Sequence, residues 1–251
     1  MIGVFDSGVG GLTVVKEIYK AYPNCKIVYF GDTARLPYGT KGASFVKKYS
    51  RKIVKWLISH GADSIIIACN TSSAWAADSL RQEFKDIPIL EMIGPAIEQA
   101  CLYTKNKRIG IIGTPGTIRS GVYEKRLAKK GCRVFTKACP LFVPIVEEGL
   151  VSGNVVEEVA KRYLAPLRAK GIDVLILACT HYPLLKSTIQ KIIGKEVRIV
   201  NPAEAVVKGI GFYKKGKSSF YFSDQPYNLQ KISKLCFERK IKPIVNDPFN
   251  S

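Results

Sequence analysis

The stretch IIIACNTSS, residues 65–73, decides the fold class, because a short apolar run ends in Ala-Cys and small polar residues follow at once. Residues 175–183, LILACTHYP, repeat this pattern, and the same shift of 110 residues also aligns Gly61 with Gly171. Short apolar runs bounded by polar residues are typical of buried strands in a parallel sheet. The two stretches therefore predict equivalent strands in two related halves of the chain.

Further apolar runs alternate with longer segments of helical spacing, which indicates the α/β class, with helices on both faces of mainly parallel sheets. One such helix covers residues 44–60, where apolar residues recur every four positions and Gly61 follows as a left-handed cap. The predicted strands cover residues 2–6, 26–31, 64–69, 87–91, 108–113, 132–135, 173–179 and 197–200. Near the C-terminus, we expect one more strand at 220–222 and a helix within 227–240.

A second internal match strengthens the duplication. Shifting the chain by 107 residues aligns IGVFDSGVGG, residues 2–11, with IGIIGTPGTI, residues 109–118, and places Ser7 opposite Thr114. Two matched landmarks in the same order are harder to attribute to chance than one. We therefore expect each half to start with a strand, turn through a glycine-rich loop into a helix, and later carry a strand that ends in Ala-Cys.

The composition is that of a globular protein with an unusual charge. Among 251 residues, 47% are hydrophobic and 24% are charged, which excludes general disorder. The net charge of +19 favours polyanions as partners, so a nucleic-acid-binding protein is a competing hypothesis. The basic residues, however, occur as singles and short pairs such as Lys47-Lys48, without an arginine-rich arm. Solvated helix faces fit that distribution better, and nucleic acid is not the expected partner.

The cysteines point to a reducing compartment. The chain has seven, and its N-terminus lacks the pattern of a secretion signal, so we expect reduced thiols in a cytoplasmic protein. No apolar run is long enough for a membrane span. Four of the seven are expected to fill the core, namely Cys25, Cys101, Cys132 and Cys236.

Cys69 and Cys179 differ from those four, because each follows a predicted strand at the end where open α/β sheets bind ligands. The following helix dipole would lower the pKa of each thiol from about 8.5, so that each could act as a base. If the two halves face each other across a cleft, one sulfur lies on either side of a bound molecule. That arrangement suits a reaction that needs a base on one face of a carbon and an acid on the other.

A metal site, a cysteine hydrolase and simple packing are the alternative roles for these two cysteines. A zinc site needs four ligands at compact spacings, and the chain has only two histidines, so no metal is expected. A cysteine hydrolase could pair Cys179 with His181, but would leave Cys69 without a role. Either cysteine alone could simply fill space. His60 precedes Gly61, so we predict a structural role for it at the end of a helix.

Six motifs, in order, give the chain a specific resemblance. FDSGVGGLTV, GDTARLPYGTK, ACNTSSA, GTPGTIRSGVYEKRL, CPLFVPIVEEG and ACTHYPLL together resemble the motif set of the bacterial glutamate racemases, from residue 4 to about residue 205. The resemblance implies a cofactor-independent enzyme that interconverts L- and D-glutamate and supplies D-glutamate for peptidoglycan. It also implies two pseudo-symmetric α/β domains with the active site in the cleft between them, and a homodimer. The expected domains are residues 1–96 with 208–251, and residues 97–207.

The same resemblance assigns roles by position. Cys69 would take the α-proton from D-glutamate and Cys179 from L-glutamate, with Asp6 assisting the first and Glu147 and His181 the second. The implied substrate-binding residues are Asp6, Ser7, Tyr38, Gly39, Asn70, Thr71, Thr114, Thr117, Thr180 and His181. A racemase of the same superfamily acting on aspartate or another acidic amino acid is the nearest alternative.

Three positions depart from the motifs of that family. Ala178 stands where the family usually has Gly, which adds a methyl group next to the second cysteine and could tighten the pocket or shift the strand. Gly42 replaces a common Ser, and Asn201 a common Asp.

Overall fold

The computed structural model describes residues 1–211, 213–237 and 241–250. Within these ranges, the strands form two sheets in which every pair of neighbouring strands is parallel. The strands are β1 (Ile2–Asp6), β2 (Ile27–Gly31), β3 (Ser64–Ile67), β4 (Ile89–Glu91), β5 (Arg108–Gly113), β6 (Arg133–Ala138), β7 (Val174–Ala178), β8 (Arg198–Val200), β9 (Ser219–Phe222) and β10 (Ile244–Val245).

The helices lie between these strands, as the alternating pattern predicts. They are α1 (Leu12–Ala21), α2 (Ala43–Ser59), α3 (Asn70–Glu83), α4 (Ile93–Tyr103), α5 (Pro115–Arg119), α6 (Val122–Ala128), α7 (Phe142–Glu147), α8 (Asn154–Ala169), α9 (Lys186–Ile193), α10 (Pro202–Val207) and α11 (Leu229–Cys236). Short 3-10 turns occupy Thr33–Arg35, Tyr38–Thr40 and Tyr182–Leu185.

The strand order repeats between the two sheets. One sheet has the order β10-β9-β2-β1-β3-β4, and the other has the order β6-β5-β7-β8. Strands β1 to β4 thus occupy the same relative places as β5 to β8. The duplicated α/β architecture predicted from the two internal matches is confirmed, and strands β9 and β10 extend the first sheet beyond β2. The residue boundaries of the two domains remain a prediction.

Alternation along the strands explains why helices cover both faces of the first sheet. Val4 packs in the apolar cluster that contains Leu12 of α1, whereas its neighbour Phe5 packs in the cluster that contains Leu57 of α2. Successive side chains of a strand point to opposite faces, so a strand that is apolar throughout needs cover on both sides.

The predicted elements differ from the observed ones mainly at their ends. Strand β3 stops at Ile67, because Cys69 already caps α3 by accepting a hydrogen bond from the backbone N–H of Ser72. Strand β6 starts at Arg133 because the N–H of Cys132 bonds to the last turn before it, at Leu127. Gly61 has the expected left-handed backbone, with φ of +86°. Residues 238–240 of the predicted C-terminal helix lie outside the described residues.

Three further predictions concern the burial of four cysteines, a structural role for His60 and the lack of a membrane-spanning segment. Cys25, Cys132 and Cys236 are buried, and Cys101 is half-buried. His60 stacks on Trp56 with a centroid distance of 3.6 Å, which fits its predicted structural role. Every helix in the described part of the chain is too short or too polar to cross a membrane.

Candidate active site

A cavity of about 300 Å³ opens where the carboxyl ends of strands from both sheets meet. Ser7 follows β1 and Cys69 lies just beyond β3, while Thr114 follows β5 and Cys179 follows β7. Ligand sites in open α/β sheets lie at these strand ends. The lining residues are Ser7, Gly8, Leu36, Pro37, Tyr38, Gly39, Cys69, Asn70, Thr71, Thr114, Pro140, Val143, Pro144, Glu147, Cys179, Thr180 and His181.

The two halves meet closely around this cavity. Thr13 Oγ1 donates to the carbonyl oxygen of Thr180 at 2.8 Å, and Tyr123 OH donates to Asn70 Oδ1 at 3.0 Å. A Cβ atom added at Gly39 would lie 2.7 Å from Thr114 Cβ. Small residues are therefore required where the halves touch, and the cavity walls are held together by hydrogen bonds between the halves.

Cys69 is a buried thiol at the N-terminus of α3. Its side chain is 5% exposed, and its Sγ atom lies 3.5 Å from the backbone nitrogen of Ser72 and 3.9 Å from Ser7 Oγ. Burial, with the negative charge of Asp6 next, raises the pKa of Cys69 to about 11, against the opposing hydrogen bonds of Ser72 and Ser7. The expected lowering of this pKa by the helix dipole is therefore wrong for Cys69, because desolvation outweighs the contacts at the helix end.

Cys179 lies in a different environment. It is 6% exposed and is followed by the 3-10 turn Tyr182–Leu185, so the predicted helix N-terminus is not there. Instead, its Sγ atom lies 3.9 Å from Nδ1 of His181, whose Nε2 is 3.1 Å from Glu147 Oε1. Burial alone would lower the pKa of His181, but the hydrogen bonds with Cys179 and Glu147 raise it to about 10. A positive imidazole thus faces this sulfur.

Asp6 lies behind the cavity and is not one of the residues that line it. Its Oδ2 atom accepts hydrogen bonds from the N–H groups of Gly8 and Gly11 at 3.1 and 3.0 Å. Its Oδ1 atom is buried with no hydrogen-bond partner among the described residues. Burial raises the pKa of Asp6, whereas the charge of His181 and the two N–H groups oppose that rise. Asp6 therefore does not line the cavity as a predicted substrate contact would, but its negative charge raises the pKa of Cys69.

Three of the predicted hydroxyl residues form one cluster. Thr71 Oγ1 lies 2.9 Å from Thr114 Oγ1 and 3.1 Å from Thr117 Oγ1, and the last two oxygens are 3.0 Å apart. Thr71 and Thr114 line the cavity, but Thr117 does not. Thr117 therefore supports the other two hydroxyls from behind instead of facing the cavity as predicted.

Tyr38, which was predicted to bind substrate, has its hydroxyl group engaged in another hydrogen bond. It lines the cavity, but its hydroxyl donates to Asp32 Oδ2 at 2.6 Å. That hydroxyl keeps its proton, since burial, with the charge of Asp32 next, raises the pKa of Tyr38 well above its usual value. Tyr38 therefore contributes other atoms to the wall of the cavity.

Six lining residues were not singled out as site residues from the sequence: Gly8, Leu36, Pro37, Pro140, Val143 and Pro144. They lie inside motifs that carried the resemblance. Only their position within a motif could have indicated that they line the cavity, because such residues have no acidic, basic or nucleophilic group that suggests a functional role. Most of them give the cavity wall an apolar surface.

Two of the departures from the family motifs have a clear place in the structure. Ala178 is fully buried in an apolar cluster with Ile93 and Val200 and does not line the cavity. Asn201 caps α10 by accepting a hydrogen bond from Ala203 at 3.1 Å. No group of three or more His, Cys, Asp or Glu side chains in the described ranges is arranged to hold a metal ion.

Chemically, the site holds two thiols, one with an adjacent carboxylate and the other with an adjacent imidazole, around a single cavity. The remaining polar groups are hydroxyls, an amide and backbone donors, which suit carboxylate oxygens. Such a site offers two groups that can exchange protons with a bound acid.

Comparison with known proteins gives a consistent result. The family model described as Asp/Glu/Hydantoin racemase matches residues 7–210. Glutamate racemase of Aquifex aeolicus (strain VF5) is 43% identical over 246 residues, covering 96% of both chains. The structure of glutamate racemase isoform RacE1 from Bacillus anthracis matches with a TM-score of 0.92 and 35% identity, over 99% of this chain and 97% of that one. The structure of glutamate racemase from Francisella tularensis in complex with D-glutamate matches with a TM-score of 0.89 and 37% identity, over 98% of this chain and 96% of that one.

Proposed function

Because the chain belongs to the Asp/Glu/Hydantoin racemase family, we propose that it interconverts L-glutamate and D-glutamate by a cofactor-independent, two-base reaction. Family membership makes it an amino-acid racemase, that is, an isomerase. The observation that carries the proposal is the pair Cys69 and Cys179, which line one cavity from equivalent strand ends of the two sheets. Similarity to glutamate racemases over nearly the whole chain supports glutamate as the substrate.

The two thiols have different neighbours. Cys69 keeps its proton at neutral pH, because its pKa is about 11. Cys179 instead has the imidazole of His181 at 3.9 Å, a group that can exchange a proton with it. In the direction we propose for L-glutamate, Cys179 takes the α-proton and Cys69 delivers its own proton to the opposite face. The proton positions are then exchanged, which is the state that accepts D-glutamate.

Removal of the α-proton places negative charge on the carbon and on the α-carboxylate. Asn70, Thr71 and Thr114 supply polar groups at the cavity wall, and α3 begins at Asn70 with its N-terminus toward the site. Donors fixed before the reaction stabilise developing charge without reorganisation. In the proposed reaction, these polar groups stabilise the negative charge that a cofactor would otherwise stabilise, so the reaction needs no cofactor.

Glu147 and Asp6 act at one remove from the substrate carbon. Glu147 accepts from His181 at 3.1 Å and keeps the imidazole charged and oriented toward Cys179. Asp6 raises the pKa of Cys69 and so favours the thiol form from which a proton is donated. The two carboxylates thus act on different sulfurs: Asp6 acts on Cys69, and Glu147 acts through His181 on Cys179.

Activity measured with four substrates tests the proposal. Purified protein is assayed with L-glutamate, D-glutamate, L-aspartate and D-aspartate, with no added cofactor, by circular dichroism of the amino acid. We expect racemisation of both glutamate enantiomers and a kcat/KM for aspartate at least about 100-fold lower, because polar groups placed for one carboxylate are left unpaired by a shorter acid. Preference for aspartate, or inactivity on all four, contradicts the proposal.

The cellular setting follows from this activity. We propose that the protein supplies D-glutamate for peptidoglycan and works in the cytoplasm, because the reaction needs both thiols reduced. We also propose a homodimer, on family resemblance alone, and two domains, residues 1–96 with 208–251 and residues 97–207. The division of strands between the two sheets supports these boundaries.

A further inference from the structure

An arginine joins the C-terminal tail, residues 246–250, to the loop that forms one wall of the cavity, residues 32–39. Arg35 Nη2 donates to both carboxylate oxygens of Asp247, at 2.9 and 2.7 Å. Its Nη1 atom donates to Asp32 Oδ1 at 2.7 Å. One guanidinium therefore holds a carboxylate of the tail and a carboxylate of the cavity loop at the same time.

Asp32 carries this connection to the cavity itself. It is completely buried, and its Oδ2 atom accepts the hydroxyl of Tyr38 at 2.6 Å. Its Oδ1 atom also accepts from Ser223 Oγ at 2.8 Å. Tyr38 lines the cavity next to Gly39. Hydrogen bonds therefore connect Asp247 to Arg35, Arg35 to Asp32, and Asp32 to Tyr38 without a gap.

The guanidinium is enclosed as well as paired. Its side chain is only 10% exposed, and its Cζ atom lies 4.7 Å from the ring centroid of Tyr49 and 5.5 Å from that of Phe249. Although burial opposes the charge of Arg35, the hydrogen bonds with Asp247 and Asp32 outweigh it and raise its pKa. A buried charge needs its partners, and losing one leaves donors unsatisfied.

The loop depends on such contacts, because its only regular structure is two 3-10 turns. Besides Arg35, it is held by the segment after β9, where Thr33 Oγ1 donates to the carbonyl oxygen of Asp224 at 2.7 Å and Ala34 N donates to Ser223 Oγ at 2.9 Å. Both anchors, after β9 and after β10, belong to the C-terminal part of the chain. None of the residues described in that part lines the cavity.

We propose that Asp247 is a positioning residue for substrate binding: by pairing with Arg35, it fixes the loop of residues 32–39 in the conformation that places Tyr38 and Gly39 at the cavity. The C-terminal tail then shapes the active site without touching the substrate. This role rests on the proposed glutamate racemase function, since its kinetic readout is the KM for glutamate.

The test compares Asp247→Asn and Asp247→Glu in the full-length protein. Asp86→Asn is the control, because Asp86 is an exposed carboxylate with no ion pair in the described ranges. Hydrogen exchange of residues 33–40 is measured without substrate, and kcat and KM are measured with glutamate. For Asp247→Asn we expect faster exchange in 33–40 and a KM raised about three- to tenfold with kcat nearly unchanged, because only the ordered loop binds substrate. Asp247→Glu keeps the charge, and we expect partial recovery of both readouts.

Unchanged exchange at 33–40 in Asp247→Asn overturns the proposal, as does a uniform rise across both sheets, which would indicate a general loss of stability. Faster exchange of the loop with an unchanged KM also overturns the positioning role. If the wild-type protein does not racemise glutamate, the proposed function fails, and exchange alone then decides whether Asp247 orders the loop.

Discussion

Gly10 lies directly against the imidazole ring of His181: a Cβ atom added at Gly10 would stand 2.5 Å from Cε1 and 2.6 Å from Nδ1 of that ring. Gly10 belongs to the loop after β1, whereas His181 follows β7 in the other half. Because His181 Nδ1 is also the atom that faces Cys179, the contact between the halves controls the position of a group next to the reacting sulfur.

Substituting Gly10 by Ala should therefore damage activity more than folding. The added methyl group would meet both Thr180 Oγ1 and the ring of His181, so it displaces two side chains that line the cavity, and a misplacement of about 1 Å can reduce the rate about 100-fold. We expect kcat/KM for glutamate to fall by roughly that factor, while the far-ultraviolet circular dichroism spectrum is unchanged. Gly42→Ala is the matched control, since its Cβ would have nothing within 4 Å. Near-normal activity of Gly10→Ala would show that the position of His181 is not critical.

Substitution of either cavity cysteine should stop racemisation in both directions. The enantiomers have equal free energies, so kcat/KM must fall equally for L- and D-glutamate, by at least about 100-fold when one proton-transfer group is lost. Cys69→Ser and Cys179→Ser are compared with Cys101→Ser, whose half-buried thiol does not line the cavity.

The two variants should be distinguished by exchange of the α-proton in deuterium oxide. Cys69→Ser keeps the base proposed for L-glutamate, so residual exchange should favour L-glutamate, and Cys179→Ser should show the reverse preference. Nuclear magnetic resonance of the recovered substrate measures this directly. Normal racemisation by either variant would exclude the two-base mechanism.

Asp6→Asn should make the Cys69 thiol more acidic. The negative charge of Asp6 contributes to the raised pKa of about 11, and an amide of the same shape removes that charge while its oxygen can still accept from Gly8 and Gly11. The pH dependence of Cys69 alkylation by iodoacetamide, located by mass spectrometry, should move to lower pH. Asp86→Asn should leave it unchanged. A shift to higher pH, or none, would mean that Asp6 does not act through its charge.

The sequence was most informative about features that depend on periodicity. The apolar runs predicted the eight strands from β1 to β8 within a few residues, and the two internal matches predicted their equivalent order in two sheets. The matching positions of Cys69 and Cys179 predicted that both thiols meet at one site, as they do in the cavity. Each of these predictions uses only local pattern and the rule that parallel strands present their carboxyl ends at one edge.

The sequence did not predict features that depend on contacts between side chains far apart in the chain. The raised pKa of Cys69 results from burial and from the charge of Asp6, neither of which is visible next to Cys69 in the chain. Thr117 was expected at the cavity, but hydrogen bonds with Thr71 and Thr114 hold it behind them. The partner of the Tyr38 hydroxyl, Asp32, could not be inferred from spacing alone.

The pair of His181 and Glu147 should make stability depend on pH in a defined direction. The pKa of His181 is about 10 in the folded protein, against an ordinary value of 6.5, so the folded state holds the proton more tightly. Its contribution to stability is therefore complete below about pH 6.5 and is lost as the pH rises toward 10. Glu147→Gln removes one cause of the raised pKa and should reduce the free energy of unfolding in urea by about 2 kcal/mol at pH 6 and by less at pH 9.

Glu148→Gln is the control, because Glu148 forms an exposed ion pair with Lys231 at 3.0 Å and should show a small loss that is the same at both pH values. An equal loss for Glu147→Gln at pH 6 and pH 9 would mean that Glu147 does not hold a proton on His181.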